Sequence, residues 1–337
     1  MSKAKTLLLA GQNSATKEDY LRNTLTTDWS FEVWRPDEER GKLVERLPLV
    51  DAVVGGNILG GWPDVERLKL YQIPFAGYNW VTPEDLPTGV VFCNTYEHEI
   101  PIAEYVLAAL LDWQIGYCAV SGHFKKVGWD GIGAGEGPVH GEIHGKTLGI
   151  VGHGRIGDEV AKRAAAFGLK VIGIARSERA AAPPPLDWLG TMSDLERLLG
   201  ESDYVLIACP QTEETLGLID TARFDQMKSD AVIINVARGP IIDEPSLYEA
   251  LVQKKIGGAI IDVWYDYPNA VNNNGEVVVR PSKLPFHELD NIRMTPHVSG
   301  WTAKLLERRW KFVAQNLDRF ARGETLQNIV FEGTAKT

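Results

Sequence analysis

Six residues, Gly152-His153-Gly154-Arg155-Ile156-Gly157, have the types and spacing that grip a pyrophosphate. In such a loop the first glycine permits a tight turn and the second lets backbone approach the phosphates. The third allows a helix to pack closely on a strand. A G-x-G-x-x-G alone is weak evidence, but its flanks here supply the required context. The apolar run Thr147-Leu148-Gly149-Ile150-Val151 reads as a buried strand, and Asp158-Glu159-Val160-Ala161-Lys162-Arg163-Ala164 opens a helix whose free amides face an anion. The next strand, Lys170-Val171-Ile172-Gly173-Ile174, leads to the slot about 20 residues on where a carboxylate would take the ribose hydroxyls of NAD. That slot holds Ala175, followed by Arg176, Ser177 and Arg179. No carboxylate repels a 2′-phosphate, and a guanidinium and a hydroxyl are placed to bind one, so NADP(H) is expected over NAD(H). The competing reading stacks Arg176 on the adenine, which serves either cofactor.

Bulk properties set the elements in a soluble, two-domain frame. The 337 residues leave room for two cores, and 44% hydrophobic with 24% charged residues is ordinary for globular chains. A net charge of −10 argues against nucleic acid or anionic membrane as main partners, so an anionic substrate needs a local basic site. Cys93, Cys118 and Cys209 are scattered without metal-ligand spacing and read as reduced thiols of a cytoplasmic protein, with no metal expected. The run Thr6-Leu7-Leu8-Leu9-Ala10 is too short for a signal-peptide core and reads as a first strand. No run approaches a membrane span.

The chain predicts an α/β fold. Residues 6–10, Asp51-Ala52-Val53-Val54 and Leu70-Tyr71-Gln72-Ile73 read as strands of a first unit, and Pro101 to Leu111 as an amphipathic helix with proline in its first turn. Residues 127–145 are glycine-rich and irregular. Strands at 147–151, 170–174, 203–208, 231–235 and 258–262 follow as short apolar runs separated by helical patterns, the signature of a parallel sheet covered on both faces.

Three further segments carry a resemblance. Asn235-Val236-Ala237-Arg238-Gly239-Pro240-Ile241-Ile242-Asp243 is similar to the arginine motif of the D-isomer-specific 2-hydroxyacid dehydrogenases. Gly258-Ala259-Ile260-Ile261-Asp262-Val263-Trp264 resembles their next strand, and Met294-Thr295-Pro296-His297-Val298-Ser299-Gly300 their histidine motif. With the glycine loop and the turn Ala208-Cys209-Pro210-Gln211-Thr212, the match covers most of residues 90–305. It implies a Rossmann dinucleotide-binding domain inserted into a flavodoxin-like substrate domain. The substrate domain would comprise 1–100 and 303–337. The cofactor domain would span 101–302, with a crossing hinge helix at 101–120 and a homodimer interface of helix and arm at 101–145.

The resemblance also implies site roles. Gly152, Gly154, Arg155, Ile156, Gly157, Arg176, Ser177, Pro210, Val236, Ala237, Arg238, Asp262, His297 and Gly300 would face the cofactor, Asp262 accepting from the nicotinamide carboxamide. Reduction of a 2-keto acid needs a cation and a proton donor. The planar fork of Arg238 suits carboxylate and carbonyl together, and His297 could protonate the developing alkoxide. The loops Phe75-Ala76-Gly77-Tyr78-Asn79 and Val54-Gly55-Gly56-Asn57 correspond to the substrate loops, giving Ala76, Gly77 and Asn57; a plain turn role is the alternative for Asn57. Neither loop carries Arg or Lys, so a small unphosphorylated carboxylic acid, such as glyoxylate or hydroxypyruvate, is expected.

One departure stands out. The family places a Glu five positions after the strand-end Asp, where it orients the histidine; here that position is Tyr267, preceded by Asp266. Either residue is a candidate partner of His297. The segment Asn269 to Asp290, with Asn272-Asn273-Asn274-Gly275, Pro281 and Pro285, is longer than usual and reads as a lid or as a peripheral decoration. Three function classes follow: an NADP(H)-dependent 2-keto acid reductase, a hydride-transfer enzyme of formate-dehydrogenase type, and a nucleotide-sensing, corepressor-like binding protein.

Overall fold

A computed structural model describes residues 4–58, 62–78, 80–131, 133–267 and 280–335. Their strands, in chain order, are β1 (Lys5–Ala10), β2 (Trp29–Trp34), β3 (Ala52–Gly55), β4 (Leu70–Gln72), β5 (Val91–Cys93), β6 (Thr147–Val151), β7 (Lys170–Ile174), β8 (Trp188–Gly190), β9 (Tyr204–Ile207), β10 (Val232–Asn235), β11 (Gly258–Ile261), β12 (Ile292–Met294) and β13 (Ile329–Glu332). The chain divides into two compact units, Met1–Glu97 with Thr302–Thr337, and His98–Trp301.

The first unit is built on a sheet ordered β13-β5-β4-β3-β1-β2. Its first five strands are parallel in the 2-1-3-4-5 order of flavodoxin-like folds, and β13 adds an antiparallel edge beside β5. Alternate residues of β1 feed opposite faces. Leu8 and Ala10 join Val53, Tyr71 and Phe92 on one side. Leu7 and Leu9 meet Trp310, Val313 and Leu317 of the helix Ala303–Arg322 on the other. Edge strands β2 and β13 escaped the sequence reading because they are only partly buried and carry no long apolar run.

The second unit holds seven parallel strands ordered β12-β11-β10-β9-β6-β7-β8. This is the Rossmann order, in which the direction of strand addition reverses between β6 and β9, where the fold binds ligands beyond the strand carboxyl ends. Residues 148–151 of β6 are fully enclosed, and each buried Leu, Ile or Val there contributes about 1.5–3 kcal/mol. The helix Arg155–Ala166 buries Val160, Ala161 and Ala164, with Asp158–Lys162 (2.7 Å) and Glu159–Arg163 (2.6 Å) ion pairs spaced one turn apart. It packs with the helix Glu99–Ile115 into one core cluster. The expected continuous helix over 101–120 is corrected: it ends at Gly116, whose φ of +67° breaks it, and a separate helix runs Tyr117–Val127. No helix among the described residues is long and apolar enough to cross a membrane.

Candidate active site

The glycine loop follows β6 at the switch point. Gly152 has φ of +100°, and a Cβ there would lie 2.5 Å from the backbone nitrogen of Cys209, so only glycine lets this turn pass the one after β9. A Cβ on Gly157 would stand 3.0 Å from Gly152 O and Ile150 Cγ2, which marks the close seating of helix on strand. Gly154 differs: beyond its chain neighbours, a Cβ there would meet no described protein atom within 4 Å. Packing does not require glycine at 154, whereas a pyrophosphate at the N-terminus of the helix Arg155–Ala166 would; the cradle therefore fits a dinucleotide. Arg155 is exposed and Ile156 half-buried. Across the switch point Pro210 is exposed, and its carbonyl accepts from Thr215 Oγ1 at 2.7 Å.

At the end of β7, Ala175 is nearly buried while Arg176 and Ser177 are exposed. The sequence reading missed what Arg179 and His153 do together. Arg179 Nη2 donates to His153 O at 3.1 Å, and Nη1 lies 3.4 Å from His153 Nδ1. Burial, with the neighbouring Arg179 charge, holds the His153 imidazole below its ordinary pKa, and its Nε2 is buried without a hydrogen-bond partner. A guanidinium is thus tied to the glycine loop from the segment after β7.

Three neighbouring strands supply the remaining groups: Arg238 follows β10, Asp262 follows β11 and His297 follows β12. Arg238 is half-buried, with Nη1 donating to Ala237 O at 2.7 Å. Its turn is braced by Asn235, whose amide donates to Arg238 O at 2.9 Å and whose oxygen accepts from Ala237 N at 3.0 Å; Val236 and Ala237 are buried beneath. A Cβ on Gly239 would fall 2.4 Å from Trp264 O, so the arginine turn lies directly against the residue after Val263. His297 has φ of +57°, a left-handed conformation costly for most side chains. Asp262 holds it there, accepting from Thr295 Oγ1 (2.6 Å), Val298 N (2.9 Å) and Ser299 N (2.9 Å). Asp262 is 0% exposed, and both of its oxygens brace the histidine loop. Gly300 is half-buried, with a Cβ position 3.6 Å from His98 Cβ.

The partner of His297 is Tyr267. Its hydroxyl lies 3.0 Å from His297 Nδ1 and accepts from Trp264 N at 3.1 Å. The Trp264 indole donates to Thr295 O at 2.8 Å, and the Tyr105 hydroxyl meets Thr295 Oγ1 at 2.7 Å. The alternative, Asp266, is corrected: its side chain is exposed and no hydrogen bond joins it to His297, because its backbone is drawn aside to Pro281 O at 2.9 Å. Asp266, Tyr267, Pro281, Thr295 and His297 instead line a common cavity. Desolvation pushes the His297 imidazole below its ordinary pKa; Asp262 opposes this and Arg238 adds to it. Desolvation raises the Tyr267 phenol, against the Trp264 N–H and Arg238. Of the long segment 269–290, residues 269–279, including Asn272-Asn273-Asn274-Gly275, lie outside the described residues. Its return limb is anchored: Ser282 Oγ donates to Glu244 at 2.5 Å, and Phe286, 1% exposed, packs on Tyr248, Trp264 and Tyr265.

In the first unit, the two loops proposed for substrate leave the carboxyl ends of adjacent parallel strands, β3 and β4. A Cβ on Gly55 would stand 2.9 Å from Ala10 O, and Gly56 O accepts from the buried Tyr71 hydroxyl. Asn57 is exposed. Ala76 and Gly77 are half-buried, with Ala76 O accepting from Asn94 Nδ2 at 2.9 Å; Asn79 lies outside the described residues.

Residues 108–299 match the model of the D-isomer specific 2-hydroxyacid dehydrogenase NAD binding domain. The chain is 32% identical over 321 residues to a glyoxylate reductase of Pyrococcus furiosus, covering 91% of each. Among solved structures it is similar to a D-isomer specific 2-hydroxyacid dehydrogenase family protein from Aeromonas salmonicida, with TM-score 0.78 and 24% identity over 98% of this chain and 99% of that one. An NADPH-dependent glyoxylate/hydroxypyruvate reductase from Sinorhizobium meliloti, in complex with NADP and sulfate, gives 0.73 and 23% over 97% and 98%. The chain belongs to the D-isomer specific 2-hydroxyacid dehydrogenase family. It is an NAD(P)-dependent oxidoreductase acting on CH–OH groups, with a Rossmann cofactor domain.

Proposed function

We propose that the protein reduces a small, unphosphorylated 2-keto acid of glyoxylate or hydroxypyruvate type with NADPH. The observation that carries this reading is the convergence of Arg238 and His297 from the ends of β10 and β12 around the Trp264–Tyr267 segment. The bound nicotinamide supplies the hydride. Arg238 holds carboxylate and carbonyl oxygen in its fork and polarises the carbonyl, and His297 protonates the alkoxide. Within the first unit, Asn57 and the backbone of Ala76 and Gly77 are the residues proposed for substrate binding. The 2′-phosphate would lie on Arg176 and Ser177, with Ala175 offering no opposing charge. The named activities of the Pyrococcus and Sinorhizobium proteins support the substrate class.

The reading includes a second copy of the chain. Tyr117, Val120, Phe124 and Val127 recur at one helical face and are 69%, 53%, 46% and 54% exposed, with Trp129 at 73% beside them. An apolar stripe of this kind suits a homodimer contact. The decisive assay follows NADPH oxidation across a panel of 2-keto acids. Turnover of glyoxylate or hydroxypyruvate is expected; formate oxidation with no keto acid turnover would overturn the reading.

A further inference from the structure

We propose that Tyr267 is a positioning residue that donates its hydroxyl proton to His297 Nδ1, fixing the imidazole as its Nε2–H tautomer and completing a proton relay to the substrate. This rests on the 2-keto acid reading. The single proton of the phenol assigns the directions. Tyr267 oxygen accepts from Trp264 N at 3.1 Å and lies 3.0 Å from His297 Nδ1. A phenol has one proton to give, and among the described residues Nδ1 is the acceptor within reach. With Nδ1 accepting, the neutral ring carries its own proton on Nε2, the nitrogen left for substrate.

The contrast with a carboxylate at the same position is chemical. A carboxylate accepts from Nδ1–H, which leaves the neutral ring with a bare Nε2; such a histidine donates only as imidazolium. The phenol reverses this, so neutral His297 is already a donor. As the alkoxide forms, the Nε2–H bond breaks and an O–H bond forms on the substrate. The Tyr267 O–H bond breaks and its proton passes to Nδ1, leaving the ring neutral and the tyrosine a phenolate. That phenolate keeps the Trp264 N–H and faces the Arg238 charge. Tyr267 is 47% exposed, so water restores its proton. A phenol is a far stronger acid than an alcohol, so the net transfer runs downhill. Among the described residues, the groups facing His297 are Tyr267 and Asp262 on the segment after β11 and Arg238 after β10. Burial and Arg238 disfavour imidazolium, which is the condition under which a neutral donor matters.

Two measurements on the full-length protein test this. In 15N-histidine-labelled protein, with His297 assigned by its absence in His297→Asn, the neutral ring is expected as the Nε2–H tautomer, and Tyr267→Phe should lose that bias. The kcat of the unsubstituted protein for 2-keto acid reduction should stay level into the alkaline range. Tyr267→Phe should instead fall about 10-fold per pH unit above the imidazole pKa, with the NADPH KM unchanged. Tyr267→Glu should recover activity near neutral pH but retain the alkaline decline. An Nδ1–H tautomer in the unsubstituted protein, or a Tyr267→Phe profile identical to it, would overturn the relay. If no 2-keto acid is reduced at all, the reductase reading and the relay's part in it fall together. The tautomer would then show whether the dyad itself exists.

Discussion

Two places along the carboxyl edge of one sheet, after the interior strand β6 and after the terminal strand β12, are built by different means. At the glycine loop after β6 the site is backbone, and the residues matter for what they lack. Gly152 has no side chain to strike Cys209, and Gly154 none to fill the cradle. At the histidine loop after β12 the site is side chains held by side chains. Asp262 braces Val298, Ser299 and Thr295, Trp264 ties Tyr267 to Thr295, and Tyr267 ties the segment to His297. A backbone site tolerates no change in shape. A side-chain network tolerates replacement of a member by another that reaches the same atom, as Tyr267 in the Glu position reaches His297 Nδ1 with the direction of the bond reversed. The lesson is that cofactor binding here is rigid, while proton delivery is open to chemical variation.

The largest break should come from Arg238→Lys. An ammonium keeps the charge but not the fork, and kcat should drop about 10²- to 10³-fold, the scale of losing one transition-state donor. Cofactor affinity, measured by titration, should persist; near-normal turnover would place Arg238 outside the chemistry. Next come the two glycines. Gly152→Ala should cost about 2–4 kcal/mol in a denaturant melt, from overpacking on Cys209 and a left-handed backbone. Gly154→Ala should melt with the unsubstituted protein yet lose dinucleotide affinity, and equal melting of both variants would dissolve the contrast.

On the side-chain end, Asp262→Asn should cost about 1–3 kcal/mol, because an amide offers one acceptor where two backbone N–H groups and a hydroxyl need them. It should also lower the His297 pKa further, since the Asp262 charge holds it up. An NMR titration of His297 that does not move would separate the brace from the electrostatics. At the outer end of the cofactor cradle the effect is expected on cofactor binding alone, with stability untouched. Arg176→Ala should weaken NADPH by about 1.5–3 kcal/mol, the scale of a hydrogen bond to a charged group, and leave NADH little changed. Equal affinity for the two cofactors before substitution would remove the basis for the preference.

The sequence by itself determined the cofactor fold. Its short apolar strands, separated by helical patterns, can only bury both faces in a parallel sheet, and the glycine pattern encodes a steric requirement that neighbouring residues already express. The places of Arg238 and Asp262 at successive strand ends were equally legible, because each follows its own apolar run, while His297 was legible through its motif. Tertiary structure decided the rest. Edge strands β2, β8 and β13 gain their place from pairing, not from a strong run of their own. The break at Gly116 needed a left-handed glycine that the helical periodicity did not reveal. The choice between Asp266 and Tyr267 turned on where the backbone bends after Trp264, which sends one side chain to solvent and the other to Nδ1. Asp262 followed the same rule: its three partners lie 33 to 37 residues away, and only the close pairing of β11 with β12 brings them within reach. Local pattern fixes which residues stand at a strand end, but which bonds they make depends on what the next strand delivers beside them.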